Sequence, residues 1–298
     1  MTQNDVLWLP SPAKLNLFLH VCGRFENGYH KLQTLFQLLN YGDELGFRPN
    51  HSGKICLKDN IDGVAESDNL IYQAACMLMP YRSKDPSAYS GIDIYLKKVL
   101  PTGGGIGGGS SNAATTLLAL NTLWRCELDM NELSTLALKL GADVPVFVNG
   151  SSALASGIGE KLQPVDLPNS HYLVATPNVH ISTEAIFTHP DLPRDTAKID
   201  IAQFNPTQML NKPHFDSTKN DCEKLVCSLH YQVANLLQWL LNYAPSRMTG
   251  TGASVFAVFA SAQQANEVLS KLPKGVNGFV AKGVNRSPVH ETLAKLKP

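Results

Sequence analysis

The stretch Pro101-Thr102-Gly103-Gly104-Gly105-Ile106-Gly107-Gly108-Gly109-Ser110-Ser111-Asn112-Ala113-Ala114 sets the expectations for this fold. It has six glycines in the seven positions from 103 to 109. Alternation at Ile92, Ile94 and Leu96 predicts a strand before it, and apolar residues after Asn112 cover most of a helix, which predicts a buried helix. A glycine run between a strand and a helix start is typical of a phosphate loop, because backbone N–H groups can approach an anion closely there.

Other kinds of glycine loop fit this stretch less well. A flexible linker has the same composition, but the flanking strand and helix fix both ends of this run. A P-loop requires Gly-Lys-Ser/Thr, and no lysine precedes Ser110. The spacing G-x-G-x-x-G occurs, but a dinucleotide site also needs an acidic residue ending a strand about 20 positions on, whereas Glu127 and Asp129 lie between two predicted helices.

Composition excludes several classes of protein. The 298 residues are 44% hydrophobic and 17% charged, with 25 Lys+Arg against 25 Asp+Glu, so the chain is not disordered and lacks the basic excess of a nucleic-acid-binding or membrane-surface protein. No apolar run is long enough to span a membrane, and the start lacks the pattern of a secretory signal. Six scattered cysteines without metal or disulfide spacing indicate a reducing, cytoplasmic location.

Outward from the loop, the pattern predicts a mixture of strands and helices. Residues 14–22 alternate as in a half-buried strand that aims Lys14 and Asn16 the same way, and residues 29–45 favour a strand over a helix. Ser67 or Asp68 is expected to cap a helix that ends near Pro80. The other predicted elements are a helix with a capping box from Asp129 to Glu132 that stops at Gly141, a strand at 172–175, a helix at 222–241, a strand-turn-strand at 247–259, a helix at 262–272 and a strand at 278–281.

A run of prolines beyond residue 160 indicates a looser connection and a domain boundary. With roughly 150 residues per domain, we expect an N-terminal domain at 1–160 that carries the glycine loop and a C-terminal domain at 161–298. Strands and helices do not alternate regularly, which favours an α+β fold over a doubly wound sheet.

Three separate stretches resemble the motifs of the GHMP small-molecule kinases, named after galactokinase, homoserine kinase, mevalonate kinase and phosphomevalonate kinase. They are the glycine loop, Pro12-Ala13-Lys14-Leu15-Asn16-Leu17 and Thr249-Gly250-Thr251-Gly252-Ala253-Ser254-Val255-Phe256. The resemblance implies an ATP-dependent kinase with a ribosomal protein S5 domain 2-like N-terminal domain, a ferredoxin-like C-terminal domain and a site in the cleft between them.

Further stretches resemble the branch of this family that phosphorylates the 2-hydroxyl of cytidine diphosphate-linked methylerythritol, in the non-mevalonate route to isoprenoid precursors. They are Asn27-Gly28-Tyr29-His30, Leu32-Gln33-Thr34-Leu35-Phe36, Tyr41-Gly42-Asp43 and Leu140-Gly141-Ala142-Asp143-Val144-Pro145-Val146-Phe147. Ile106 stands where leucine is frequent, and Thr249 and Thr251 stand where many members have serine. Each of these departures keeps the chemistry of its position.

The resemblance assigns Asp143 as the base that accepts the proton of the acceptor hydroxyl, and Lys14 as the cation beside it. Phosphoryl transfer passes through a loose transition state, so positioning and charge neutralisation do most of the catalysis. We expect Lys14 to act more on the hydroxyl and the γ-phosphate than on Asp143. Without the resemblance, Asp143 would be interpreted as a turn cap and Lys14 as a solvated residue at a strand edge.

The resemblance also groups the remaining candidate residues by ligand. The ATP group is Pro101, Gly103, Gly104, Gly105, Ile106, Gly107, Gly108, Gly109, Ser110, Ser111, Asn112, Asn69 and Lys98, of which the last two are expected at the adenosine. The acceptor group is Asn16, Tyr29, His30, Phe36, Thr183 and Phe187. The three aromatic residues of the acceptor group are expected to stack on the pyrimidine and His30 to read its edge, although each aromatic alone would more often be a core residue.

Mg²⁺ is implied as the partner of ATP, but no compact carboxylate cluster identifies metal ligands. The alternatives are another GHMP kinase, of the homoserine or mevalonate type, and a non-catalytic nucleotide-binding regulator. The aromatic set with His30 argues against the first alternative, and Lys14 together with Asp143 argues against the second. We expect no nucleic-acid or membrane partner and a monomer or homodimer.

Overall fold

The computed structural model describes residues 6–59, 61, 63–200, 204–210 and 212–295. Its strands are β1 (Leu7–Arg24), β2 (His30–Asn50), β3 (Ile55–Leu57), β4 (Gly91–Lys97), β5 (Ala153–Gly157), β6 (Lys161–Pro164), β7 (His171–Pro177), β8 (Ser246–Met248), β9 (Val255–Phe259) and β10 (Val276–Val284). Its helices are α1 (Leu70–Leu78), α2 (Gly108–Leu123), α3 (Met130–Leu140), α4 (Val144–Asn149), α5 (Thr183–Thr188), α6 (Lys212–Asp216), α7 (Asp221–Leu229), α8 (Tyr231–Leu241), α9 (Ala262–Leu269) and α10 (Pro288–Ala294).

Most strands join through the long strand β2, which pairs with β1, β4, β5 and β10. Strand β10 continues the sheet into β7, β9 and β8, so it joins the two halves of the chain. The pairs are antiparallel apart from β3 with β4. This arrangement confirms the predicted α+β class, since parallel sheets with crossover helices would have required a regular alternation of strands and helices.

Strand β1 is buried on both faces, whereas the sequence predicted a half-buried strand. Every residue from 11 to 21 is buried. Leu15 and Leu17 belong to one core cluster, while Lys14 and Asn16 are held by hydrogen bonds beneath the glycine loop. The alternation therefore separates an apolar face from a polar face that is also enclosed.

Two helix predictions are wrong in detail. The cap of α1 is Asn69, whose side-chain oxygen accepts from the N–H of Ile71 at 2.9 Å, because a short 3₁₀ turn occupies 66–68 where the cap was expected. The predicted helix over 222–241 is two helices, α7 and α8, since His230 between them is extended, with φ −132° and ψ 91°. By contrast, the capping box of α3 is present as predicted, with Asp129 and Glu132 each accepting from backbone N–H groups.

The region after residue 150 contains strands and helices that the sequence analysis did not predict, because its prolines indicated a looser connection. Strands β5 and β6 form a hairpin. Helix α5 has only six residues, and α10 follows Ser287 near the end of the described chain. Val289 and Leu293 of α10 pack into the same core as α1, α2 and α3. A second core lies around α7, α8 and α9, and a third, built on β1, lies between the two. The boundary near residue 160 stays a prediction.

Candidate active site

A cavity of about 530 Å³ opens between the glycine loop, the middle of β1 and the start of α5. The glycine loop enters α2 through Gly107, whose φ of +76° is left-handed. Beneath the loop, the N–H of Lys14 donates to the carbonyl of Ile106 at 3.0 Å. Because the first N–H groups of a helix are unbonded within it, the start of α2 presents donors and a partial positive charge at the edge of this cavity.

The glycine loop is packed against the second glycine turn, Thr249–Gly252. The N–H of Ser254 donates to the carbonyl of Gly104 at 3.1 Å. A Cβ on Gly105 would lie 2.5 Å from the carbonyl oxygen of Thr249, and Gly105 also has φ +73°, so only glycine fits this position. Asn220 fixes the second turn from behind by donating to the carbonyls of Met248 and Gly250, both at 2.8 Å.

Lys14 and Asp143 meet at the floor of the cavity. The Lys14 side chain is 2% exposed, and its Nζ lies 3.1 Å from Asp143 Oδ2. The same Nζ donates to Asn16 Oδ1 at 2.6 Å and to the carbonyl of Gly105 at 3.1 Å. Asp143 precedes α4 but its side chain does not cap that helix, and it is 37% exposed to the cavity. The ammonium is thus fixed by three oxygens, and the carboxylate stays accessible to an acceptor.

A buried carboxylate to which the sequence analysis gave no role, Asp43, fixes the other end of the glycine loop. Its Oδ1 accepts from the N–H groups of Val99 and Leu100, both at 2.8 Å. Its Oδ2 accepts from Lys98 Nζ at 2.9 Å and from Asn112 Nδ2 at 3.0 Å. Asp43 therefore joins the entry to the loop, the first turns of α2 and the predicted adenosine-side lysine.

Most of the predicted ATP group lines the cavity. The lining members are Pro101, Gly103, Gly104, Gly105, Gly107, Gly108, Gly109, Ser110, Asn112, Asn69 and Lys98. Two predicted members do not contribute side chains to it: Ile106 is 1% exposed within the third core, and Ser111 is fully buried, where its hydroxyl accepts from Ser11. They support the loop from inside.

The predicted acceptor group is only partly brought together. Asn16, Phe36, Thr183 and Phe187 line the cavity, and Thr183 shares a hydrogen bond of 3.0 Å with Thr251. The Phe36 ring is 1% exposed and lies 5.4 Å below Lys14 Nζ, so it supports the ammonium and has little surface for stacking on a base.

The other two residues of the acceptor group lie outside the cavity lining. Tyr29 is 61% exposed in the turn before β2, and His30 is 8% exposed. The His30 ring packs against that of Phe187, with centroids 5.1 Å apart. Its Nε2 accepts from Arg24 Nε at 3.2 Å and from Arg194 Nε at 3.1 Å. Burial and these two arginines hold the pKa of His30 below its usual value.

Magnesium prefers oxygen ligands and keeps several waters, so the donors of the cavity can be tested against it. Among the residues that the structure describes, no group of three or more His, Cys, Asp or Glu side chains is placed to hold a metal ion. The cavity does offer the carboxylate of Asp143 and the hydroxyl of Ser110. These hard donors fit an ion that is held mainly by the phosphates of ATP and by water.

A glycine loop that opens a buried helix and is hydrogen-bonded to a lysine–aspartate pair defines a small-molecule kinase of the GHMP class. The family models agree, since GHMP kinases N terminal domain matches residues 69–151 and GHMP kinases C terminal matches residues 205–278. A protein of Pseudoalteromonas atlantica named 4-diphosphocytidyl-2-C-methyl-D-erythritol kinase is 57% identical over 97% of this chain and 96% of its own. A Shewanella frigidimarina protein of that name is 52% identical over 96% of this chain and 95% of its own. The chain belongs to the 4-diphosphocytidyl-2-C-methyl-D-erythritol kinase family of GHMP kinases.

Solved structures agree with this assignment. A crystal structure of 4-(cytidine 5'-diphospho)-2C-methyl-D-erythritol kinase superposes with a TM-score of 0.75 at 29% identity, covering 93% of this chain and 99% of that one. The mevalonate kinase of Methanococcus jannaschii superposes with a TM-score of 0.63 at 15% identity, covering 95% of this chain and 99% of that one. The second likeness shows the shared fold, and together they confirm the predicted GHMP kinase architecture.

Proposed function

We propose that this chain transfers the γ-phosphoryl group of ATP to the 2-hydroxyl of 4-diphosphocytidyl-2-C-methyl-D-erythritol, giving the 2-phosphate and ADP. The observation that carries the proposal is the pair formed by Lys14 and Asp143, which is hydrogen-bonded to the glycine loop through the carbonyl of Gly105. Cation, carboxylate and phosphate loop therefore form one rigid unit. The identity of the acceptor rests on the relatives that carry this name at 52–57% identity.

The chemistry follows from the two side chains. The acceptor hydroxyl donates its proton to the Asp143 carboxylate while its oxygen bonds to the γ-phosphorus, and the bond from that phosphorus to the oxygen of ADP breaks. Lys14 is buried and held by oxygens, so its charge stays close to the transferring group, where it stabilises the developing negative charge. The N–H groups at the start of α2 hold the remaining phosphate oxygens.

The two groups of ligand residues divide the cavity. The ATP side runs from the glycine loop to Asn69 and Lys98, and the acceptor side runs from Asn16 to Thr183 and Phe187. Magnesium bound to ATP screens the phosphate charges, and Ser110 and Asp143 are the residues of this chain that would contact it. We assign domains at 1–160 and 161–298.

The experiment offers Mg-ATP with 4-diphosphocytidyl-2-C-methyl-D-erythritol, homoserine or mevalonate, in parallel, and measures ADP release. We expect turnover with the cytidylated acceptor only. Turnover with homoserine or mevalonate instead would assign a different GHMP kinase activity, and ATP binding without turnover on any of the three would favour a regulator.

Other features of the chain bear on its cellular compartment and its oligomeric state. The six cysteines are free thiols, which supports a reducing compartment such as the cytoplasm. In the part of the chain that the structure describes, no helix has the length and apolarity to span a membrane. The expected monomer or homodimer is checked by light scattering.

A further inference from the structure

The guanidinium of Arg194 donates all of its N–H groups to nearby acceptors. Nη1 donates to the carbonyls of Leu192 at 2.8 Å and Pro190 at 3.3 Å, and Nη2 donates to those of His189 at 2.7 Å and Phe187 at 3.0 Å. Nε donates to the imidazole Nε2 of His30 at 3.1 Å. A fork of five donors that is filled in this way has none left for a phosphate of the substrate.

Helix α5, which carries Phe187, cannot stabilise itself. It has six residues, of which only Ile186 is buried, and isolated helices of this length are unstable in water. At its C-terminal end the carbonyl of Ile186 accepts from the N–H of His189 at 3.2 Å, and Arg194 supplies donors for the carbonyls of Phe187 and of His189, the residue after the helix. Arg194 therefore holds the backbone of the short helix that carries the Phe187 ring.

The same arginine acts on His30. Because Nε2 of His30 accepts from both Arg24 and Arg194, it carries no proton, so the neutral ring carries its proton on Nδ1. The charged groups that act on His30 are these two arginines, and with burial they oppose its protonation. Arg194 thus contacts two of the four residues that are expected to recognise the pyrimidine, Phe187 through its carbonyl and His30 through its ring.

We propose that Arg194 is a positioning residue for the pyrimidine end of the acceptor, which fixes the Phe187 ring against His30 and fixes the Nδ1–H form of His30. The proposal rests on the proposed function, because it concerns the acceptor side of the same cavity. It predicts that Arg194 sets affinity for the cytidine group without contacting it, and that it does not affect ATP.

The test compares Arg194→Met with Arg125→Met. Arg125 is 60% exposed and pairs with Asp85, so it is a matched control outside the cavity. We expect Arg194→Met to raise KM for the cytidylated acceptor at least about fivefold, as the loss of one stacking contact would. KM for ATP should stay within twofold of the wild-type value, and Arg125→Met should match the wild type in both constants.

Two further variants separate a local role from a general loss of folding. Arg194→Lys keeps the charge but offers a single donor group in place of the fork, so we expect an intermediate KM for the acceptor. Arg24→Met removes one donor to His30 and leaves the α5 turn untouched, so its KM should rise less than that of Arg194→Met. An unchanged acceptor KM in a folded Arg194 variant, or an equal rise in the KM for ATP, would overturn the proposal.

Two direct measurements complete the test. Calorimetry with CDP as the probe should show weaker binding to Arg194→Met than to the wild type, and nitrogen NMR should show the Nδ1–H tautomer of His30 in the wild type. A wild-type Nε2–H tautomer would contradict the inference. Failure of the proposed function looks different, because the wild type itself would then release no ADP with the cytidylated acceptor.

Discussion

At the scale of single residues, the sequence predicted a lysine–aspartate pair for the proposed catalysis but not what holds it in place. Lys14 and Asp143 stand in motifs that can be matched by eye, and the structure brings them to 3.1 Å. Asp43 stands in a family motif, but its role comes from hydrogen bonds to backbone N–H groups far away in the chain, and Arg194 joins nearby carbonyls to the side chain of the distant His30. Contacts of this kind depend on the tertiary fold and leave no periodic pattern.

Replacing Asp143 with Asn tests the base. The amide keeps the shape of the side chain but cannot accept the proton, so we expect kcat to fall about 10²- to 10⁴-fold while the Kd for ATP stays within about threefold. Stopped assays of ADP release and calorimetry with ATP measure the two quantities. The Asp143 side chain does not cap α4, but the substitution leaves the buried Lys14 ammonium without its charged partner, so we expect a lower unfolding temperature as well. Unchanged kcat would remove Asp143 from the role of base.

Replacing Asp43 with Asn tests the clamp on the glycine loop. The substitution leaves the partly buried Lys98 without its charge partner, and whichever oxygen becomes NH₂, two of the four accepted hydrogen bonds become contacts between donors. We expect a loss of about 2–4 kcal/mol in the free energy of unfolding and a higher KM for ATP, with KM for the acceptor little changed. Urea unfolding and steady-state kinetics measure these effects. Asp129→Asn, at the exposed N-cap of α3, serves as the control and should leave both KM values as they are.

At the scale of elements, local patterns predicted the strands and capped helices, and failed where a break has no local signal. Val226 and Val233 are seven residues apart and face the same core, as they would in one continuous helix, yet His230 between them is extended. The periodicity of α7 therefore runs on into α8 without interruption. Similarly, the alternation in β1 predicts an apolar face and a polar face. It does not show that the polar face is also buried, because that burial depends on the glycine loop, which packs over it.

The glycine loop offers a matched pair of substitutions. A Cβ on Gly107 would lie 2.8 Å from the Phe147 ring and would require the left-handed φ of +76°, whereas a Cβ on Gly109, inside α2, would first meet Leu70 at an ordinary 3.6 Å. We expect Gly107→Ala to lower both the unfolding temperature and the affinity for ATP, because the start of α2 must shift. Gly109→Ala should keep or raise the unfolding temperature, since alanine favours helix. Equal unfolding temperatures for the two variants would contradict this account of the loop.

At the scale of the whole molecule, the class of fold was predictable because strands and helices do not alternate regularly and because three motifs far apart in the sequence resemble those of one family. The hub role of β2 and the return of the chain through β10 were not predictable, since register and strand order depend on long-range pairing.

Acid stability is a property of the whole molecule. Burial lowers the pKa of His20, His30 and His290 from 6.5. The unfolded chain then takes up protons at a higher pH than the folded one. The contribution of these histidines to the free energy of unfolding is therefore fully present above about pH 6.5 and is lost as the pH falls towards their pKa values in the folded protein. Each histidine contributes at most about 1.4 kcal/mol by pH 5.5. Burial raises the pKa of Glu223, which acts in the opposite sense at lower pH.

Urea unfolding at pH 7.5 and pH 5.5 measures this effect, and we expect the lower free energy of unfolding at pH 5.5. His20→Gln should reduce the difference between the two pH values, because glutamine does not titrate. A variant with the same pH dependence as the wild type would show that His20 is not one of the groups responsible.

Helix α10 determines when, during synthesis, the core to which it belongs can be fully covered. Val289 and Leu293 cover apolar surface of a core whose other buried members lie between Leu7 and Ala155. A ribosome makes this helix after every other described element, so the early core keeps an open apolar side until α10 has been made. A nascent chain stalled before Pro288 should therefore bind well to chaperones that recognise exposed apolar segments. Its glycine loop will by then have been made for nearly two hundred residues.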